Sequence, residues 1–151
     1  MVKINLNFQG LLLGLFLITP AVLATDNPSL TAYLLKTDSP SAVVSLLEEA
    51  KKHFEAGENE QAAAILERAI RIDGLNPVLW HNLAGVRLKQ GDWKRAANLA
   101  DKSNTLVIND KLLRVRNWMI IAWACEGMGD TQCAIEARQR AEKLLASSPA
   151  S

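Results

Sequence analysis

The sequence predicts an all-α protein, an α-solenoid of three stacked helical hairpins, and three observations carry that reading. Gly57, Gly91 and Gly129 are each followed directly by an acid, Glu58, Asp92 and Asp130, with the glycines 34 and 38 residues apart. Small residues keep a fixed offset from them: Ala50, Ala84 and Ala122 seven positions before, Ala62, Ala96 and Ala134 five after, and Ala69, Ser103 and Ala141 twelve after. Leu46, Trp80 and Trp118 stand eleven positions before the same glycines. A recurring unit of this length is a helix–turn–helix that cannot bury its apolar face alone, so neighbouring units must stack. The four extra residues before the third unit come close to one helical turn of about 3.6 residues, which lengthens a helix without disrupting the stack.

The elements follow in order. Residues 1–24 read as a secretory signal: Lys3 and the free amine precede the apolar run Leu11 to Ile18, Pro20 breaks it, and Val22-Leu23-Ala24 sets short side chains before a cleavage point. The run is short for a span of about 20 residues, so no membrane span is expected after cleavage. Residues 25–41 form a linker, because Asn27-Pro28 and Ser39-Pro40 each disfavour helix before the proline. Leu30 to Lys36 has the length for a helical turn or two.

The repeat domain covers 42–146, with units of about 43–76, 77–110 and 111–146. Ser41 is expected to cap the first helix, which reaches about Ala56, and Gly57 ends it at a position that tolerates a left-handed backbone. The second helix covers about Glu58 to Ile72, with Ala62, Ile65, Leu66, Ala69 and Ile70 on its buried stripe. Asn76 caps the third helix and Pro77 opens it, where a missing N–H costs nothing. Trp80, Leu83, Ala84 and Leu88 form its inner face, and Gly91 stops it. Asp92 opens the fourth helix, with Trp93, Ala96, Leu99 and Ala100. Asn109 or Asp110 caps the fifth, which runs to about Met128; the sixth runs from about Asp130 to Ala146, and residues 147–151 are expected to fray.

Composition narrows the function. The chain is 49% hydrophobic and 22% charged, ordinary for a folded soluble domain. Without residues 1–24, Lys3 is lost and 16 basic residues face 16 acidic ones, which gives no electrostatic case for nucleic acid or an anionic membrane. Lys111, Arg114 and Arg116 make a small basic patch that reads as a solvated helix face. No nucleophile elbow, phosphate loop or metalloprotease motif is present, so neither catalysis nor a cofactor is expected. Cys125 and Cys133 flank the last turn without a His or third Cys at ligand spacing, which argues against a metal site. In an oxidising compartment the pair invites a disulfide that would staple the terminal hairpin.

These marks resemble the tetratricopeptide repeat family, whose unit carries an early aromatic residue, then Leu and a small residue, a Gly–acid turn, and Ala in the second helix. The second unit matches through Trp80, Leu83, Ala84, Gly91, Asp92, Trp93 and Ala96. The third matches through Trp118, Ile121, Ala122, Gly129, Asp130, Ala134 and Ala141. The first unit departs at Leu46 and Asn59, where aromatics are usual, and the third departs at Thr131.

The resemblance implies a right-handed superhelix whose first helices line a concave groove. With the signal, it is similar to small exported repeat proteins of Gram-negative bacteria that serve as adaptors in envelope assembly. Carried over by position, the groove would be lined by Lys51, Phe54, His81, Gly85, Leu88, Lys89, Arg116, Met119, Trp123 and Glu126. Gly85 would leave a gap beside which Trp123 could stack on a bound peptide. Leu47, His81 and Met119, with Lys51, Gly85 and Trp123, occupy the two positions where chaperone-binding members carry Lys and Asn, so their carboxylate clamp is not expected. His53 falls where the family places a buried aromatic and is expected in the core. The expected partner is a protein or peptide; a homodimer stays open, since no seventh helix covers the polar last one. The competing reading is a self-assembling structural module acting through its end surfaces.

Overall fold

A computed structural model describes residues 39–147. The signal, nearly all of the linker and most of the tail lie outside these residues. Six helices follow one another: α1 (Ser41–Glu55), α2 (Asn59–Ile72), α3 (Pro77–Lys89), α4 (Trp93–Leu106), α5 (Lys111–Gly127) and α6 (Thr131–Ala146). They pair as three antiparallel hairpins, α1–α2, α3–α4 and α5–α6, and the hairpins join through α2–α3, α4–α5 and α3–α5 contacts.

The three hairpin turns share one construction. Gly57, Gly91 and Gly129 have φ of +79°, +75° and +76°. This left-handed backbone suits glycine because it has no Cβ. It lets the glycine's own N–H and the one after it fold back onto the helix end. Glu58 N–H donates to the His53 carbonyl at 2.8 Å and Gly57 N–H to that of Phe54 at 3.0 Å. The same pair of bonds recurs from Asp92 and Gly91, and from Asp130 and Gly129. Each turn thereby satisfies two carbonyls that a helix terminus otherwise leaves bare.

Helix starts vary more. Asn76 accepts from Val78 N–H at 3.0 Å with Pro77 at the first helical position. Asp110 accepts from Leu113 N–H at 2.8 Å and Asp130 from Cys133 N–H at 3.0 Å. The expected Ser41 cap is corrected: Pro40 occupies the cap position and Ser41 lies inside the helix, its carbonyl accepting from Ser45 Oγ. Asp92 stands at the cap of α4, but its side chain pairs with Arg95 and caps no backbone N–H.

The repeating small residues are where the helices cross. Ala50, Ala84, Ala62, Ala96 and Ala122 are fully buried, and Ala134, Ala69, Ser103 and Ala141 are buried too. Larger side chains fill the spaces around them in two apolar clusters. One holds Val43, Leu46, Phe54, Leu66 and Leu79; the other holds Leu88, Ile120, Ile121 and Cys125, with Trp93, Trp118 and Trp123 packed against it. Full burial of a Leu or Ile side chain contributes roughly 1.5–3 kcal/mol.

Candidate functional site

The three first helices of the hairpins, α1, α3 and α5, carry all ten residues expected along the groove, but the structure gives them different work. Arg116, Met119 and Trp123 are half-buried, and their spacing sets them along one side of α5. Trp123 packs on the cluster that contains Ala84 and Leu88, the residues bracketing Gly85. Gly85 is itself buried, yet a Cβ built on it would meet nothing within 4 Å, so there is room for a methyl group beside the helix there. Lys89 is exposed; Lys51 is half-buried and lies 3.8 Å from Glu55 one turn on.

Three positions, Phe54, Leu88 and His81, are corrected as contact residues because the core buries them. Phe54 and Leu88 are 9% and 7% exposed and fill the core. Glu126 stays exposed and pairs with Arg138 of α6. His81 is fully buried, and its Nδ1 lies 2.7 Å from Asn117 Oδ1. The Asn oxygen can only accept, so Nδ1 carries the proton. Asn117 Nδ2 in turn donates to Ser103 Oγ at 2.8 Å and to Asn104 Oδ1 at 3.0 Å, and Ser103 Oγ donates to the Pro77 carbonyl at 2.8 Å. This chain ties α3, α4 and α5 together through the core. Polar groups at such depth are tolerated because they satisfy one another. His53, the histidine expected in the core, keeps a third of its side chain exposed because the ring turns outward to Glu58 across the Gly57 turn.

Other structural residues carried weak sequence signals. Arg87, 8% exposed, bridges α2 and α3: its Nη2 donates to Glu67 at 2.8 Å and its Nη1 to Glu60 at 3.4 Å and to Gln90 at 3.0 Å. Trp93 lies against Gly127 so closely that a Cβ on Gly127 would sit 2.4 Å from the indole. Trp80 and Trp118 each lie under a cation, Lys102 at 5.9 Å and Arg140 at 4.6 Å from the ring centroid. Both pairs are separated by 22 residues, a repeat-register signal visible in the chain.

Cys125 and Cys133 are joined in a disulfide across the last turn, with Cα atoms 5.7 Å apart. Cys125 is buried near the end of α5 and Cys133 is half-buried in the first turn of α6, and the tight bend between them brings their Cα atoms into bonding range. Among the described residues no helix is long and apolar enough to cross a membrane.

Stacked antiparallel hairpins with glycine turns, alanine crossings and polar outer faces define a helical-repeat module of the protein-binding kind. Residues 53–103 match the sequence model of the tetratricopeptide repeat. Among solved structures, the globular C-terminal domain of P. aeruginosa LpoP is similar, with a TM-score of 0.67 and 36% sequence identity over 69% of this chain and 98% of that one. No curated protein matches the chain. The chain belongs to the tetratricopeptide repeat family.

Proposed function

We infer that the chain is an exported adaptor without catalysis of its own, which holds a partner protein or peptide against the face formed by α1, α3 and α5. The single observation that carries this reading is the row on α5 beside Gly85: Arg116, Met119 and Trp123 are only half-buried there, and the buried Gly85 leaves room for a methyl group next to them. Trp and Arg are the side chains that most often dominate binding energy at interfaces. Lys51 and Lys89 add cations on α1 and α3, so the face suits an extended segment or short amphipathic helix with apolar anchors and acidic flanks.

An envelope role, in a periplasmic compartment, is supported by the signal-like residues 1–24 and by a cysteine pair of the kind that persists in oxidising surroundings. A photo-crosslinking residue at position 123, introduced into cells that make the chain, tests the reading. An adaptor gives a defined heterologous adduct that Arg116→Ala or Gly85→Leu abolishes while the helical circular dichroism is unchanged. Adducts only with further copies of the chain, or adducts indifferent to both substitutions, refute it.

A further inference from the structure

A second surface lies on the other side of α5, in the cleft between α4 and α6. Arg114 and Trp118 line this cleft, and at about 100° per residue Arg114 points opposite to Trp123. Asn104 contributes from α4, and Arg140, Lys143 and Leu144 from α6, around a cavity of about 410 Å3. That volume falls within the range of about 300–1,000 Å3 typical of ligand sites. Its floor is apolar: Trp118 and Leu144 form it, and the Arg140 guanidinium stacks 4.6 Å over the Trp118 ring. Stacking fixes the guanidinium plane and leaves its N–H edges free to bind an acceptor.

The polar groups around this floor are one-sided. No carboxylate lines the cleft, and none of Arg114, Arg140 and Lys143 takes part in an ion pair among the described residues. Glu136, one turn before Arg140, is bonded to Gln132 at 2.8 Å instead. Arg114 donates to the Val107 carbonyl at 2.6 Å, which holds it at the rim. Asn104 Nδ2 is a buried donor with no hydrogen-bond partner, while its Oδ1 accepts from Asn117. A buried donor left alone costs about 1–3 kcal/mol.

The equivalent cleft one repeat earlier provides an internal comparison. Trp80 and Lys102 form the same aromatic–cation pair there, but Glu67 lines that cleft and neutralises Arg87. In the second repeat Arg87 and Arg95 are paired with acids and only Lys102 forms no ion pair, whereas in the third none of the three cations forms one, among the described residues.

We propose that the Trp118–Arg140 cleft is a second docking site, which takes an acidic segment of a protein partner. A carboxylate lies against Arg140 and Lys143, and a neighbouring apolar side chain lies on Trp118 and Leu144. The site is independent of the Gly85–Trp123 face, so one molecule can hold two partner segments on opposite sides of α5.

The test is a titration of the full chain, labelled with 15N, with an acetylated and amidated five-residue peptide alternating glutamate and leucine. The indole N–H signals of the four tryptophans are followed by NMR. The Trp118 signal should move saturably while that of Trp123 stays. The double variant Arg140→Gln with Lys143→Gln should weaken the peptide about tenfold, because both rim charges lose their partner. A rise in sodium chloride from about 0.05 M to about 0.5 M should weaken it several-fold through screening. Lys102→Gln, in the earlier cleft, should change affinity less than about twofold. The double variant alters exposed side chains only, and unchanged circular dichroism confirms its fold. Three outcomes overturn the proposal: no saturable shift at millimolar peptide, equal binding of the glutamine counterpart, or a shift centred on Trp123. The last would assign acidic segments to the α1–α3–α5 face. Failure of the crosslink at position 123 with a positive titration here would remove the adaptor face and leave this site standing.

Discussion

Replacing Gly127 with alanine should destabilise the protein even though it adds a better helix former. Gly127 is the last residue of α5 and has ordinary helical backbone, so the intrinsic preference for alanine contributes up to about 1 kcal/mol in its favour. The opposing term is steric. The added methyl would lie 2.4 Å from Cδ2, 2.5 Å from Cε2 and 2.9 Å from Cε3 of Trp93. Carbon atoms in favourable contact sit about 3.5–4.0 Å apart. These are central atoms of a rigid bicyclic ring, so rotation of a side-chain end cannot relieve the overlap. Either α4 moves from the end of α5, or Trp93 leaves the apolar cluster it packs against. Overpacking of this kind costs roughly 1–3 kcal/mol, which outweighs the propensity gain. The expected net loss is about 1–2 kcal/mol, read as a lower urea midpoint at unchanged slope by circular dichroism. The double variant with Trp93→Ala should recover the loss relative to Trp93→Ala alone, since the ring that obstructs the methyl is gone. A Gly127→Ala protein as stable as the parent, or a cycle without coupling between the two positions, would refute the packing argument.

Gly85→Ala should do the reverse and stabilise by about 0.5–1 kcal/mol, because that glycine lies inside α3 at ordinary helical φ with free space for the methyl; a lowered urea midpoint would contradict this. Gly129→Ala should cost about 1–2 kcal/mol from backbone strain alone, since its φ is +76° and no atom crowds the site; thermal unfolding measures it. His81→Leu should cost about 1–3 kcal/mol by leaving Asn117 Oδ1 unsatisfied, with crosslinking at position 123 intact; loss of the crosslink in a folded variant would return His81 to the binding face. Reduction of the Cys125–Cys133 bond, which closes a loop with a sequence separation of 8, should cost about 2–3 kcal/mol of unfolding free energy, checked by denaturation with and without dithiothreitol.

The sequence by itself determined the fold. Helix positions, the three left-handed turns and the alanine crossings depend on local backbone freedom and on helical periodicity, and both are written in consecutive residues. The expected helix bounds hold to within about two residues wherever both ends were set, and the fourth helix starts where expected, except that the first begins without a side-chain cap. Family position could place the groove candidates on the right helices, but it could not say which side chains reach solvent. Phe54 shares a helix with Lys51, and His81 and Leu88 share one with the exposed Lys89, yet burial depends on what the next hairpin covers, and that is a property of the stack. His81 needed Asn117, 36 residues away, to become a core residue. Arg140 needed Trp118 and the absence of any acid across the cleft to become a candidate contact. Burial and charge pairing are sums over residues distant in the chain, so only the tertiary structure could decide them.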